Sequence, residues 1–238
     1  MATRELLKKP FNKKLIACLS PFILQWLLRT RGGFHYRQAI GVLLIGIAAT
    51  YGAVASIILT AIGRTDLINW SVARFNAFLN RTFLGITATI KGKENLAKPG
   101  QQVVYVCNHQ SIMDIMYLGV VFPKCTSMVA KKSLKYYPFL GWFMILSRTV
   151  FLDRANRDNA IQQAKQAAND ILHKQISVWI FPEGTRNPST TLLPFKKGAF
   201  YMATQAKVPI IPVVIDHYSH IYDSKKKVFK HGDITIQK

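Results

Sequence analysis

The chain has 238 residues, half of them hydrophobic and only 18% charged, with 32 Lys and Arg against 11 Asp and Glu. That length holds one α/β domain and an appendage, and the formal net charge of +21 implies an anionic partner. The three cysteines are odd in number and lack metal-ligand spacing, which argues against a disulfide framework or a Cys-based metal site and for buried thiols in a reducing compartment.

The amino-terminal third reads as a membrane anchor. Arg4, Lys8, Lys9, Lys13 and Lys14 make a basic opening, and Leu15–Leu28 follows as a charge-free run interrupted by Pro21. After the basic turn Arg29-Thr30-Arg31, the segment Ala39–Ile62 runs for 24 residues without a charge. As a helix rising about 1.5 Å per residue, it is long enough to cross a hydrocarbon core. Gly41, Gly46, Ala49, Gly52, Ala53 and Ala55 would let another helix approach closely. A retained anchor fits better than a cleaved signal peptide, because the first apolar run comes late and no small-x-small site precedes the long one. Either the two runs form a hairpin or the second spans alone. Trp70–Leu84 places Val72, Phe75, Phe78, Leu79 and Phe83 at helical spacing. This is either an interfacial amphipathic helix or a core-packing one. The expected division is an anchor over 1–84 and a domain over 85–238.

From Gly85 onward, short β-rich runs alternate with helical ones, which predicts an α/β fold: a mixed, mostly parallel central sheet flanked by helices. Predicted strands are Ile86–Ile90, Gln102–Cys107, Thr126–Ala130, Thr149–Leu152, Ile176–Phe181 and Val208–Ile215. Predicted helices are Ile112–Val121, Asn156–Lys174 and Phe195–Ala206. Pro209 and Pro212 mark the last of these strands as an edge or a bulge. Polar clusters follow the strand ends, where open α/β sheets gather their chemistry.

The most informative cluster is Asn108-His109-Gln110-Ser111-Ile112-Met113-Asp114, a strand running through a tight loop into a helix that Ser111 can cap. His109 and Asp114 lie close enough for the carboxylate to reach the imidazole. That pair is either a general base with its orienting acid or a helix-terminus arrangement satisfying backbone groups. Cys107, at the end of an apolar strand, reads as core. Three further blocks follow: Arg148-Thr149-Val150-Phe151-Leu152-Asp153-Arg154, preceded by Ala130-Lys131-Lys132-Ser133-Leu134; Phe181-Pro182-Glu183-Gly184-Thr185-Arg186; and Val208-Pro209-Ile210-Ile211-Pro212-Val213-Val214.

With these four blocks in order behind a hydrophobic amino terminus, residues 85–238 resemble the glycerolipid acyltransferases, specifically the 1-acylglycerol-3-phosphate (lysophosphatidate) acyltransferase family. The resemblance implies transfer of a fatty acyl group from acyl-CoA or acyl carrier protein to the sn-2 hydroxyl of lysophosphatidate, forming phosphatidate in phospholipid biosynthesis. It implies His109 as the base and Asp114 as its orienting acid. Lys131, Arg154, Glu183, Gly184, Thr185 and Arg186 become candidates for binding the substrate, chiefly its phosphate. In that role Glu183 is expected to orient Arg186 or the acceptor hydroxyl, because a carboxylate repels phosphate. Leu134–Leu146, rich in aromatics, is an acyl groove, a membrane contact or plain core. The thioester is a cosubstrate; no bound cofactor, metal or nucleic-acid partner is expected. The bilayer is, at a bacterial inner membrane or the endoplasmic reticulum, with the catalytic domain on the cytoplasmic side. Family members usually continue beyond the strand at Gly232–Gln237 with a further strand and helix, so the domain reads as short at its carboxyl end. The alternatives are another glycerolipid acceptor or a catalytically dead membrane-binding relative.

Overall fold

The computed structural model describes residues 32–137, 140–152 and 160–238. The basic opening, Leu15–Leu28, Phe139, Asp153 and Arg154 lie outside the described residues.

Among the described residues two α-helices precede the sheet, α1 over Phe34–Ala61 and α2 over Ile68–Leu84. With no proline to interrupt it, α1 extends for 28 residues, or about 42 Å. Its buried positions, Phe34, Arg37, Gly41, Leu44, Ala48 and Gly52, follow one another at intervals of three and four. Two of its glycines sit where neighbours come close, and Gly46 does not: a Cβ at Gly41 would meet Met116 Cε at 3.1 Å, and one at Gly52 would meet Phe143 at 3.2 Å, whereas one at Gly46 would meet nothing within 4 Å. On the other side Val42, Leu43, Val54, Ile57, Ile58 and Ile62 are all more than half exposed. Contiguous apolar surface of this kind marks an interaction with lipid or protein. By length and composition, α1 is able to anchor the chain to a membrane.

Helix α2 packs between α1 and the domain and stops at Gly85, whose φ of +63° supplies the left-handed cap. Its buried residues include Ile68, Asn76, Leu79, Asn80 and Leu84, whereas Phe78 is 60% exposed. The expected apolar stripe is therefore rotated, and two asparagines face inward. Their amide nitrogens are satisfied there: Asn80 donates to the Asn76 carbonyl at 2.7 Å, and Asn76 to the Ile115 carbonyl at 3.3 Å. Arg74 donates to the carbonyls of Gly119, Val120 and Phe122. A cation thus meets the orphan acceptors at the end of α3 (Met113–Val121).

The sheet strands are β1 (Ile86–Lys91), β2 (Val104–Cys107), β3 (Thr126–Lys131), β4 (Val150–Leu152), β5 (Ser177–Ile180), β6 (Ile210–Ile215) and β9 (Gly232–Gln237). Between β6 and β9, the short β7 (Tyr222–Asp223) and β8 (Val228–Phe229) make a separate hairpin. The order across the seven-stranded sheet is β1-β9-β6-β2-β5-β3-β4. Strands β6, β2, β5, β3 and β4 run parallel, while β9 is antiparallel to β6 and parallel to β1. The other α-helices among the described residues are α4 (Leu140–Leu146), α5 (Ala160–Lys174) and α6 (Gly198–Ala206).

Strand alternation divides the core. Val104, Val106, Val178 and Ile180 point to the layer formed by α5 and α6, with Ala167, Ile171 and Met202. Tyr105, Cys107 and Trp179 point to the opposite layer, with Leu44, Leu79, Met113 and Tyr117 from α1, α2 and α3. Burial on both faces explains why β2, and β5 after Ser177, read as apolar runs without polar alternation.

The expectation for β6 needs correcting. It is an interior strand, pairing with β2 over Ile210–Val213 and with β9 at Val214 and Ile215. Pro212 precedes the β9 pairing, so the missing N–H falls where the strand has one partner. The prolines thus mark a half-edge.

Candidate active site

The carboxyl ends of β6, β2 and β5 are neighbours on one edge of the sheet, and three loops meet there. After β2, Asn108 prolongs the ladder with its side chain: Ile215 N–H donates to Asn108 Oδ1 at 2.8 Å, and Asn108 Nδ2 donates to Ile215 O at 2.9 Å. Gln110 Nε2 donates to the same carbonyl at 2.9 Å. The turn is thereby tied to β6 on both sides of His109.

His109 is held at both ends of its own peptide unit by the loop after β5. Its N–H donates to Glu183 Oε1 at 2.8 Å, and its carbonyl accepts Asn187 N–H at 2.7 Å. Its ring lies on Phe181, with centroids 4.0 Å apart and planes 18° apart. With the backbone and one ring face fixed, the imidazole has little freedom left. Its side chain is 15% exposed, so one edge reaches solvent.

Asp114 lies in the first turn of α3 and is fully buried. Its Oδ2 accepts His109 Nδ1 at 2.7 Å, Gln110 N–H at 2.7 Å and Ser111 N–H at 3.0 Å. Tyr218 O–H donates to Oδ1 at 2.6 Å. The carboxylate therefore satisfies the helix terminus and holds the imidazole at once, so the two readings of the His–Asp spacing describe one arrangement. With Nδ1 donating to a carboxylate, the proton-accepting lone pair is on Nε2.

Ser111 caps the helix as expected, its Oγ accepting Met113 N–H at 3.0 Å. The same hydroxyl is 2.9 Å from Tyr218 O. Cys107 Sγ is buried, and burial, reinforced by the charges of Asp114 and Glu183, pushes the thiol well above its usual range. That suits a core residue and not a nucleophile.

Glu183 departs from expectation. It is buried, with Oε1 on His109 N–H and Oε2 on Leu193 N–H at 3.0 Å. Both oxygens are committed to backbone, so Glu183 joins two loops and does not orient Arg186. Gly184 has φ +70°, and its N–H closes a turn onto Phe181 O at 3.1 Å. A Cβ there would lie 2.6 Å from Lys196 Nζ. The glycine serves the turn, and its amide is not offered to an anion.

Thr185 and Arg186 are exposed beyond that turn. Arg186 lines a cleft of about 410 Å³ with Gln110, Ser111, Ser189, His217, Tyr218 and Lys225. Tyr222 lines the same cleft; burial pushes its hydroxyl up while the charge of Arg186 pulls it back. Lys131 ends β3 at the same sheet edge, separated from β2 by β5, and is exposed. It does not line this cleft. Arg154 lies outside the described residues. A second cavity, about 200 Å³ and mainly apolar, opens among α1, α2, α3, β3 and α4, with Ala48, Val72, Leu118, Met128, Leu140 and Phe143 on its wall. In the aromatic stretch, Phe143 lines this cavity whereas Tyr136, Tyr137 and Trp142 are exposed.

The sequence patterns missed Tyr218, Phe181 as a ring partner, and Asn187. Phe181 opens a conspicuous motif and Asn187 directly follows it, and both could have been suspected on that ground. Nothing local marks Tyr218.

The sequence pattern of the family described as Acyltransferase matches residues 87–216. The 1-acyl-sn-glycerol-3-phosphate acyltransferase of Saccharomyces cerevisiae is 42% identical over 206 residues, 86% of this chain and 67% of that protein. The human 1-acyl-sn-glycerol-3-phosphate acyltransferase beta is 36% identical over 233 residues, 94% of this chain and 81% of its own. The crystal structure of the 1-acyl-sn-glycerophosphate (LPA) acyltransferase PlsC from Thermotoga maritima shares the fold. It superimposes with a TM-score of 0.65 over 90% of this chain and 84% of that one, at 22% identity.

Proposed function

The chain belongs to the acyltransferase family, and from that premise we propose that it transfers a fatty acyl group from a thioester to the sn-2 hydroxyl of lysophosphatidate, producing phosphatidate. The observation that carries the reading is the 2.7 Å contact of His109 Nδ1 with the fully buried Asp114. It leaves Nε2 free to take the proton of the acceptor hydroxyl. As the O–H bond breaks, the oxygen forms a bond to the thioester carbonyl carbon. Collapse of the tetrahedral intermediate then breaks the C–S bond. The proton on Nε2 passes to the departing thiolate, and Asp114 offsets the positive charge meanwhile. Acyl-CoA and acyl carrier protein both present such a thioester. A Ser111 acyl-enzyme is disfavoured, because its hydroxyl already serves Met113 and Tyr218.

Arg186 would hold the phosphate of the acceptor in the cleft of about 410 Å³. The mainly apolar cavity beneath α1 suits an acyl chain, and the exposed face of α1 suits the bilayer that supplies lipid substrates. The proposed location is a bacterial inner membrane or the endoplasmic reticulum, catalytic domain toward the cytoplasm.

Purified protein in detergent, given acyl-CoA and a panel of lysophospholipids and glycerol 3-phosphate, is expected to convert lysophosphatidate preferentially. Absence of phosphatidate would refute the acceptor assignment. Lys225 lines the same cleft as Arg186 from the β7–β8 turn, where Asp223 Oδ1 accepts the N–H groups of Lys225 and Lys226 at 2.9 and 3.0 Å. Replacing Lys225 with glutamine removes one exposed cation, so KM for lysophosphatidate is expected to rise by about 3- to 10-fold with kcat retained. An unchanged KM would show that Lys225 does not face the phosphate.

A further inference from the structure

We infer that Tyr218 is a positioning residue for the transfer reaction, the fixed donor that aims the Asp114 carboxylate at His109. The inference rests on the reading of His109 as base and adds a member from a distant part of the chain.

The hydrogen bonds allow one consistent arrangement of protons. Asp114 Oδ2 already accepts from His109, Gln110 and Ser111. Left to those three, the carboxylate could still tilt about its Cβ–Cγ bond, because all of them pull on one oxygen. Tyr218 holds the other oxygen, Oδ1, at 2.6 Å. A carboxylate bonded through both oxygens from two directions has a set plane. The single hydrogen of the phenol is used in that bond, so the 2.9 Å contact with Ser111 must run from the Ser111 O–H to the Tyr218 oxygen. Ser111 Oγ in turn accepts Met113 N–H at 3.0 Å. The relay runs Met113, Ser111, Tyr218, Asp114, His109, and no buried polar atom along it lacks a partner.

Tyr218 is itself immobilised. It is 2% exposed, and its ring lies 5.2 Å from that of Tyr117 at a 52° tilt. Its carbonyl accepts both Ile221 N–H and Tyr222 N–H at 2.9 Å. Burial and the nearby Asp114 push the hydroxyl far above its usual range, which keeps it protonated and able to donate at neutral pH. The segment after β6 thereby reaches back to the motif after β2, a separation of 104 residues between Tyr218 and Asp114.

The test is Tyr218→Phe, which keeps the ring and its packing and deletes the hydroxyl. Loss of a hydrogen bond to a buried charge is expected to lower kcat by about 10- to 100-fold, with KM for both substrates unchanged and the thermal unfolding midpoint within a few degrees of the parent. The discriminating measurement is a cycle with His109→Ala. If Tyr218 acts through His109, then Tyr218→Phe in the His109→Ala background changes the residual rate by less than about 2-fold. An equal loss in both backgrounds overturns the inference, as does a kcat within about 2-fold of the parent in the single variant. Should His109→Ala alone retain full activity, the base assignment would be what failed.

Discussion

Replacing His109 with alanine is expected to lower kcat about 10²–10⁴-fold, the range for removing a positioned general base, while the protein stays folded and membrane-associated. The fold should tolerate the change because the structural ties of this residue come from its backbone: Glu183 takes its N–H, Asn187 takes its carbonyl, and Asn108 and Gln110 beside it tie the turn to Ile215. What the substitution removes is the ring stacked on Phe181 and bonded to Asp114. Asp114 keeps three donors, Gln110 N–H, Ser111 N–H and Tyr218 O–H, so the buried carboxylate is not stranded. KM for lysophosphatidate should change little if the phosphate is held by Arg186. Activity equal to that of the parent would refute the base assignment, and a matching loss of folded protein would show that the ring is structural.

Where the sequence was informative, the reason was local. Strands β2 and β5 announced themselves as short apolar runs ending in polar clusters, because burial on both faces leaves no polar alternation. The His109–Asp114 pair was legible because a tight turn into a helix brings the two positions together without help from the rest of the chain. The errors came where a second element decides the outcome. Hydropathy grouped Phe78 with Leu79 and Phe83 on one apolar face without saying which way it turns, and Phe78 is exposed while Asn76 and Asn80 are buried, since periodicity cannot distinguish an apolar face turned toward the domain from one turned outward. Pro212 suggested an edge strand, and the pairing of β6 with β9 is supplied by a strand that begins only at Gly232. Glu183 was assigned to substrate because it sits in a conspicuous motif, whereas its partners are two backbone amides brought to it by folding. Tyr218 had no local signal at all. Residues that complete a site from across the sheet are invisible to spacing arguments, because their role depends on the parallel order β6-β2-β5 that brings three loops to one edge.

Asp114 separates structure from chemistry most sharply, through two substitutions. In Asp114→Asn the amide oxygen can occupy the place of Oδ2 and accept from the donors there, while the amide nitrogen faces Tyr218. The phenol can then accept from that nitrogen and give its own hydrogen to Ser111, 2.9 Å away. The buried oxygens and amide donors of the parent keep partners, but the second hydrogen of the new amide gains none, so stability should fall by about 1–3 kcal/mol. The negative charge is gone, however, and the imidazolium formed during proton transfer loses the group that offsets it in a water-poor site. We expect kcat to fall about 10²–10⁴-fold with KM little altered. Asp114→Ala should lose activity to the same degree and more stability. It strands the Gln110 and Ser111 amides in a site where Asp114 has no solvent exposure, whereas the Tyr218 hydroxyl can still turn to Ser111. Each orphaned donor costs about 1–3 kcal/mol. Thermal unfolding of the two variants beside their steady-state kinetics is the measurement. If asparagine retained most of the parental kcat, the charge would be dispensable, and Asp114 would be a helix-terminus acceptor that happens to touch a histidine.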